Sequence, residues 1–431
     1  MEYIPIFVLV LSFVGLLAIG TPVAWSITIS SLLTMLVSIP AMPAFTTVAQ
    51  RIGAGLDSFA LLAIPFFVLS GQLMNKGGIA HRLIAFAKTL VGSLPGGLAL
   101  INVIAAMLMG AIAGSAMASA SAMGSILGPE MEKEGYSKEF GAAVNITSAT
   151  TGLVIPPSNV LIVYSLASGG VSIAALFLAG YVPGILTGLF LMLVASFWAK
   201  KKKYKVGKRS NLKEVFKTFI DAFPSLLLLV IVIGGIVTGI FTATEASAIA
   251  VLYTLILGFV YKEINFQSLP QILLDSSATT AVVMLLIGAS MSMSWVMSFE
   301  NIPQSISDVL LGISDNKIVI LLIINLILLF VGIFMDMTPA VLIFTPIFLP
   351  VVTALGMDPV HFGIIMVLNL CIGLCTPPVG SVLFVGVGVA QTSIEKVVKP
   401  LLPLFLAMIF ALFLVTYFPD LTLWLPRVFN L

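Results

Sequence analysis

The chain has 431 residues, of which 60% are hydrophobic and only 9% are charged, and its formal net charge is +2. A soluble domain carries about 25% charged residues, so this composition excludes a water-soluble surface and predicts an all-α polytopic protein with lipid as its main solvent. A short basic run is too little to form a nucleic-acid-binding face, and two cysteines, Cys371 and Cys375, do not make a disulfide framework.

Apolar runs of the length that a membrane helix needs, about 20 residues, recur along the whole chain. They predict helices at 4–20, 22–39, 57–75, 98–112, 139–152, 158–168, 174–199, 216–240, 244–261, 271–298, 317–334, 359–373, 379–391 and 396–418. Shorter amphipathic segments lie near 79–92 and 302–312. The N-terminus lacks the basic start and cleavage site of a secretory signal, so we expect it to be the first membrane helix.

A basic segment, Lys200 to Arg209, interrupts the apolar chain near its middle. By the positive-inside rule this segment is cytoplasmic. It divides the chain into regions that we expect to be N-terminal scaffold helices (1–60), a first repeat (61–199), a cytoplasmic linker (200–215), second scaffold helices (216–284), a second repeat (285–395) and a C-terminal helix (396–431).

The regions on either side of the linker are related in sequence. Residues 151–165 have the sequence TGLVIPPSNVLIVYS and residues 372–386 have IGLCTPPVGSVLFVG, so that Gly-Leu-x-x-Pro-Pro occurs once in each half. The offset that aligns these two motifs also aligns Pro129 with Pro350. Duplicated halves are typical of secondary transporters, whose sites lie at the repeat interface. If each half crosses the membrane an odd number of times, the repeats are inverted, and the helix count alone leaves odd or even open.

The repeated double prolines, Pro156-Pro157 and Pro377-Pro378, predict a broken helix in each half, at 152–158 and 373–379. Carbonyl groups freed inside a membrane need partners, and a hard cation such as sodium is one such partner. A purely structural kink is the alternative. Hydroxyl and amide groups flank both breaks, at Ser148, Thr150, Thr151, Ser158, Asn159, Thr376 and Ser381.

A small-residue or turn-containing segment precedes each break. Residues 110–125 have the sequence GAIAGSAMASASAMGS, which favours either simple helix packing or a re-entrant hairpin at about 110–131 with a tip between Gly114 and Ser121 and arms too short to span. The second segment gives a hairpin at about 332–355, with Asp336, Thr338 and Pro339 at its turn. Asp336 is an isolated carboxylate in an apolar region, which indicates a functional residue.

The remaining ionisable residues give weaker signals. Glu245 and Asp57 are at helix starts, where a carboxylate caps the helix, and Glu300 follows Trp295 near an expected interface. We interpret His81 and His361 as packing or interfacial residues.

The stretches SFALLAIPFFVLSGQLM, GAIAGSAMASASAMGS, GLVIPPSN, GIFTATEAS and GLCTPPVG together resemble the large membrane subunit of tripartite ATP-independent periplasmic (TRAP) transporters, and the chain is most similar to the sialic-acid branch of that family. The resemblance covers essentially the whole chain. It implies an ion-transporter fold of two inverted repeats, each with a re-entrant hairpin and a broken helix. It also implies elevator motion, no enzymatic activity, and coupling to two or more sodium ions with no organic cofactor.

The same resemblance implies the partners and the cellular location. We expect a separate small four-helix membrane subunit, a periplasmic substrate-binding protein, an organic acid as substrate, and residence in the lipid bilayer of the bacterial inner membrane. Alanine stands in FTATEAS where many relatives are expected to have proline.

Site residues follow from the matching motifs of the family. One sodium ion is expected at Ser115, Ser119, Gly152, Ile155 and Pro157, and a second at Gly332, Gly373, Thr376 and Val379. The substrate is expected at Asp336, Thr338, Ser158, Asn159 and Ser381.

Three other functions are alternatives to sodium-coupled uptake of an organic acid. The first is a transporter of the same fold acting without a binding protein on dicarboxylates or other anions. The second, an intramembrane enzyme, lacks support because the chain has no HExxH motif, no GxGD around Asp336 and only two histidines. The third is a channel, although paired broken helices favour alternating access.

Overall fold

The computed structural model describes residues 4–207, 210–314 and 316–431, and the regular structure in these ranges is helical. The helices are α1 (Ile4–Ala18), α2 (Val23–Ser38), α3 (Ala41–Leu56), α4 (Ala63–Lys76), α5 (Ile79–Val91), α6 (Gly97–Ala113), α7 (Ala116–Lys133), α8 (Lys138–Thr151), α9 (Asn159–Ala167), α10 (Ile173–Lys202), α11 (Leu212–Val237), α12 (Ala243–Val260), α13 (Leu269–Phe299), α14 (Ile302–Ile313), α15 (Lys317–Phe334), α16 (Met337–Ala354), α17 (Pro359–Gly373), α18 (Ser381–Val389), α19 (Ile394–Tyr417) and α20 (Asp420–Val428). A short 3-10 turn, Phe59–Leu62, precedes α4.

Many of these helices are apolar enough to lie in a bilayer. Within the described ranges, eight helical segments have the length and composition to cross a membrane. They are Phe59–Lys76, Ile173–Lys202, Leu212–Val237, Ala243–Val260, Leu269–Phe299, Lys317–Phe334, Met337–Ala354 and Ile394–Tyr417. The predicted all-α polytopic class is therefore confirmed, whereas the division into scaffold and repeat regions stays a prediction.

Three helical stretches differ from the sequence prediction. Helix α3 occupies residues that we expected to lie between helices, because its mixture of glycine, Gln50 and Arg51 hides its single apolar stripe. That stripe packs on α13, and the Arg51 guanidinium lies 4.8 Å from the centre of the Trp295 ring. Helix α20 was also missed, and α10 continues to Lys202, so the linker begins as helix because lysines are good helix formers.

Each half contains a helical hairpin. Helices α6 and α7 are joined at Gly114 and Ser115, where Gly114 has a φ of +60° that glycine adopts without strain. Helices α15 and α16 are joined at Met335 and Asp336. The arms of both hairpins are longer than the sequence predicted, and α15 and α16 each have the length and apolarity of a span.

Each half also contains a broken helix. The first consists of α8 and α9 separated by residues 152–158, and the second of α17 and α18 separated by residues 374–380. The peptide bond between the two prolines is cis in both breaks. The interruptions lie within one residue of the expected positions 152–158 and 373–379, and their assignment to two related repeats stays a prediction.

The two hairpins have their bases at opposite ends of the molecule. Past the first break, the Tyr164 hydroxyl of α9 donates a hydrogen bond of 2.6 Å to the carbonyl oxygen of Pro359, beside the base of the second hairpin. Past the second break, Gln391 shares a cavity with Lys138, which starts α8 beside the base of the first hairpin. Each broken helix therefore runs from the base of its own hairpin to the base of the other. The inverted relation of the two repeats stays a prediction.

Aromatic rings connect the linker to the first hairpin. The Tyr204 ring lies 4.3 Å from that of Tyr136, between α7 and α8, and the Ser137 N–H donates to the Tyr204 hydroxyl at 3.4 Å. The Phe140 and Trp198 rings stack beside them with centroids 5.8 Å apart. The linker therefore lies at the base of the first hairpin.

Candidate functional site

Both hairpin tips and both broken helices meet at one small cavity. Its volume is about 70 Å³. It is lined by residues of the two tips, of the two breaks and of the helices that follow the breaks: Gly114, Ser115, Ala116, Met117, Leu153, Val160, Asp336, Met337, Thr338, Leu374 and Val382. Elements from both halves of the chain thus contribute to a single site.

A close approach of two glycines fixes the first hairpin to the first break. A Cβ placed on Gly152 would lie 2.5 Å from the Cα of Gly110, and one placed on Gly110 would lie 2.7 Å from the Cα of Gly152. No side chain fits at such a crossing, because real Cβ atoms do not approach a backbone carbon so closely. The two glycines therefore let α6 touch the end of α8 and bring the tip to the break.

A matching pair of glycines lies in the second half. A Cβ on Gly373 would lie 2.5 Å from the Cα of Gly332, and one on Gly332 would lie 3.0 Å from the Cα of Gly373. The Gly380 N–H adds a hydrogen bond of 3.1 Å to the carbonyl oxygen of Ile333. In both halves, then, the first arm of the hairpin rests on the last turn before the break.

The first break is buried and leaves carbonyl groups without backbone donors. All of residues 152–158 are buried. Among the described residues, no backbone N–H donates to the carbonyl oxygens of 152–157. Buried carbonyl groups normally have partners, and a bound cation meets that need with oxygen ligands.

The second break is less covered. Pro378 and Val379 are exposed, with 37% of the Val379 side chain accessible, and Thr376 is half-buried. The carbonyl oxygen of Leu374 accepts a hydrogen bond of 3.3 Å from the Leu383 N–H, so this break is also closed partly on itself.

The two tips have different chemistry. Ser115 is the N-cap of α7, and its hydroxyl oxygen accepts a hydrogen bond of 3.3 Å from the Ala118 N–H. Asp336 holds the equivalent place at the start of α16, but its carboxylate makes no side-chain capping bond, and the residue is exposed at the cavity. The second tip therefore offers a carboxylate to whatever enters the cavity.

Polar groups near the breaks have unused hydrogen-bonding capacity. The hydroxyl groups of Ser158 and Ser381 are buried and have no hydrogen-bond partner among the described residues. The amide of Asn159 lies against Gly114 of the first tip, where a Cβ would meet its Nδ2 at 2.6 Å. A buried hydroxyl without a partner costs about 1–3 kcal/mol, which a ligand with oxygen or nitrogen atoms would recover.

The predicted site residues are therefore only partly assembled. Ser115, Asp336 and Thr338 line the cavity together, and Gly152, Gly332 and Gly373 form the glycine crossings described above. Others point elsewhere. The Ser119 hydroxyl donates to the Ala106 carbonyl oxygen, and the Thr376 hydroxyl donates to the Ile372 carbonyl oxygen. The side chain of Ile155 lies against α10. Pro157 lies in the buried break, and Val379 is exposed outside the cavity. For these residues, binding of sodium through main-chain carbonyl oxygen atoms stays a prediction.

Sequence reasoning missed the surroundings of the first break. Gly180 and Gly184 of α10 lie directly on it, the first against the carbonyl oxygen of Val154 and the second against the side chain of Ile155. Two glycines four positions apart in an apolar helix are the signal that could have found them, because that spacing lets helices approach closely.

Comparison with known proteins gives consistent matches over nearly the whole chain. A family model described as "Tripartite ATP-independent periplasmic transporter, DctM component" matches residues 10–421. The uncharacterized protein YgiK of Salmonella typhimurium is 58% identical over 99% of each chain. The sialic acid TRAP transporter large permease protein SiaM of Vibrio cholerae is 40% identical over 97% of this chain and 98% of its own. The C4-dicarboxylate TRAP transporter large permease protein DctM of Rhodobacter capsulatus is 37% identical over the same shares.

A solved structure has a similar fold. The YdaH transporter of Alcanivorax borkumensis superposes with a TM-score of 0.68 over 89% of this chain and 90% of its own, at 13% sequence identity. At that identity the likeness concerns the fold alone, and it agrees with a helical transporter architecture.

Proposed function

The chain belongs to the DctM family of large membrane components of tripartite ATP-independent periplasmic transporters, and from that premise we propose that it takes up sialic acid (N-acetylneuraminate) together with sodium across the bacterial inner membrane. The chain is thus a multi-pass permease component for organic acids, and its family consists of transporter components rather than enzymes. The choice of acid, the coupling ion and the inner-membrane location with a cytoplasmic linker are our proposals.

The observation that supports coupled transport best is the meeting of two tips and two breaks at one cavity. Each glycine crossing brings a hairpin arm against the end of a broken helix, where the carbonyl groups of the first break have no backbone donor among the described residues and the second break is closed only in part, by the Leu383 N–H. Such oxygen-rich positions suit a hard cation, so a sodium ion is proposed at each break. The first would have Ser115, Ser119 and oxygen atoms of 152–157 within its half, and the second Gly332, Gly373, Thr376 and Val379.

The chemistry around the cavity favours a polyhydroxylated acid. Asp336 lines the cavity and is an acceptor when ionised, while Ser158, Ser381 and Asn159 lie near the breaks outside the cavity lining and can donate and accept. A sugar acid brings hydroxyl groups that can donate to a carboxylate, whereas a dicarboxylate dianion brings acceptors only and would be repelled by it. Relatives named for sialic acid and for C4-dicarboxylates are about equally similar to this chain, so this chemical argument decides the proposal.

The cavity must enlarge for transport. Its volume of about 70 Å³ is well below the roughly 300 Å³ of small ligand pockets. We therefore propose that the tips separate from the breaks when substrate binds, within an elevator-type movement of the hairpins and broken helices against the scaffold.

Reconstitution tests the proposal. We expect the chain, in liposomes with its small membrane subunit and its periplasmic binding protein, to take up N-acetylneuraminate only under an inward sodium gradient. Equal uptake with potassium in place of sodium would contradict sodium coupling. Stronger competition by succinate than by sialic acid would show that sialic acid is not the preferred substrate. Full uptake without the binding protein would favour the stand-alone transporter.

A further inference from the structure

The two breaks have different covers. Helix α10 lies on the first break through Gly180 and Gly184, and every residue of 152–158 is buried. A Cβ on Gly180 would overlap the carbonyl oxygen of Val154, and a Cβ on Gly184 would overlap the side chain of Ile155. The contact is so close that no water molecule fits between α10 and the break at these points.

In the second half, the helix at the aligned position does not carry these two glycines. The offset that aligns the two double prolines also aligns the first residue of α10, Ile173, with the first residue of α19, Ile394. The same offset places Leu401 and Phe405 where α10 has Gly180 and Gly184. These bulky side chains prevent the approach that two glycines permit.

The second break is also more exposed than the first. Pro378 and Val379 are exposed, although the aligned residues of the first break, Pro157 and Ser158, are buried, with only 1% of Ser158 accessible and 37% of Val379. The contrast is thus seen at matched positions on two segments of similar sequence.

We infer that α10 seals the first ion site through Gly180 and Gly184, while the second ion site exchanges its ion with the aqueous phase in this conformation. This inference rests on the proposed function, because it requires an ion at each break. An ion at the first break is enclosed by the first hairpin tip on one side and by α10 on the other, so it can leave only after one of these packed contacts opens locally. An ion at the second break needs no such opening, so the second site releases and rebinds its ion first.

Matched cysteine variants test the difference in accessibility. Ser158→Cys and Val379→Cys stand at equivalent positions, and the native Cys371 and Cys375 are fully buried, so the unmodified chain is the control. With the membrane subunits assembled in nanodiscs and in potassium, we expect a charged thiol reagent to modify Val379→Cys at least about tenfold faster than Ser158→Cys. Sodium should slow the modification of Val379→Cys.

Each result has a defined meaning. Equal modification of the two cysteines, or modification of Val379→Cys by lipid-soluble reagents only, would overturn the inference. If sodium does not slow the modification of Val379→Cys but liposome uptake still requires sodium, the ion does not bind at the second break. The proposed sodium coupling would then remain intact. Uptake that does not require sodium would instead contradict the proposed function itself.

A pair of substitutions on α10 tests the seal. Gly180→Ala would push a methyl group onto the Val154 carbonyl, whereas Gly188→Ala on the same helix would meet only the flexible side chain of Met107. Combined with Ser158→Cys, Gly180→Ala should make the first break accessible and raise the half-saturating sodium concentration for uptake several-fold, while Gly188→Ala leaves both near their starting values. If Gly180→Ala lowers protein yield without changing accessibility or sodium dependence in the folded fraction, α10 is packing and not a seal.

Discussion

The two halves of the molecule share a skeleton but not their chemistry. In both, a glycine pair joins the first hairpin arm to the last turn before a double-proline break. The first half then closes around its break with α10, whereas the second leaves its break exposed. The two halves therefore share the backbone crossings, whereas the side chains around them differ.

The hairpin tips show the same divergence at a single aligned position. The offset that aligns the double prolines pairs Ser115 with Asp336, and each is the N-cap of the second hairpin arm. Ser115 uses its hydroxyl to cap its own helix, but Asp336 keeps its carboxylate free at the cavity. One tip thus stabilises its own turn and the other is available to a ligand.

The largest expected effect is on transport by Asp336→Asn. Loss of the charge removes a charge-assisted hydrogen bond to substrate, worth about 1.5–3 kcal/mol, so uptake should fall at least about tenfold at subsaturating substrate. The folded yield should not change, because the carboxylate makes no capping bond in the structure. Initial rates of sodium-driven uptake in liposomes measure the effect.

Two control variants separate that role from helix capping. Asp358→Asn alters an N-cap whose carboxylate accepts from the Val360 N–H at 2.7 Å, and asparagine still caps, so transport should persist. Ser115→Ala should cost about 1 kcal/mol of stability through the lost cap, and because Ser115 is also a proposed sodium ligand, this variant is compared by its stability and not by its transport. Transport by Asp336→Asn at the wild-type rate would show that the two tips do not differ as proposed.

The second-largest effect is expected from substitutions at the two glycine crossings. Gly152→Ala and Gly373→Ala each place a methyl group about one bond length inside the contact distance of another backbone, and overpacking of this kind costs about 1–3 kcal/mol. If the halves are equivalent, both variants should lower the apparent melting temperature and reduce transport. Gly15→Ala in α1, where nothing lies within 4 Å, is the matched control. If only one of the two variants keeps the wild-type melting temperature, the close glycine crossing is required for stability only in the half whose variant is destabilised.

Much of the fold could be predicted because lipid imposes simple rules on sequence. Long apolar runs without charge must be helices, and two prolines in succession must end one, so the breaks lie where the repeat predicted them. Helix α3 was missed because an amphipathic helix carrying Arg51 does not have the continuous apolar signal of a span. Its one buried face becomes visible only when α13 is in place.

The candidate site was predictable as a set of segments but not as a set of atoms. The sequence identifies Asp336 and Ser115 through their place at turns, and the structure brings both to one cavity. The sequence could not indicate that the Thr376 hydroxyl would donate to the preceding helix at Ile372, or that the Ser158 hydroxyl would have no partner among the described residues. Rotamer choice depends on neighbours that are distant in the sequence, which local pattern does not encode.

The smallest expected effect concerns the polar pairs that tie each hairpin to its broken helix. In the second half, the Asn369 Nδ2 donates to the Asn325 Oδ1 at 2.7 Å, and the Asn325 Nδ2 donates to the Thr416 hydroxyl at 3.3 Å. In the first half, the Ser148 hydroxyl donates to the Asn102 Oδ1 but also reaches the carbonyl oxygen of Asn145, both at 3.2 Å.

Replacing each hairpin amide by leucine should therefore have unequal consequences. Asn325→Leu removes two side-chain hydrogen bonds, although the Asn369 Nδ2 keeps the Asn325 carbonyl oxygen at 3.0 Å, and it should lower the free energy of unfolding by about 1–2 kcal/mol. Asn102→Leu removes one, leaves Ser148 with its second acceptor and should cost about 0.5 kcal/mol. Thermal unfolding in detergent, followed by the loss of tertiary signal at matched protein concentration, measures the difference. Equal losses would mean that the two halves are held together in the same way, and the asymmetry would then be confined to the tips and to the cover over each break.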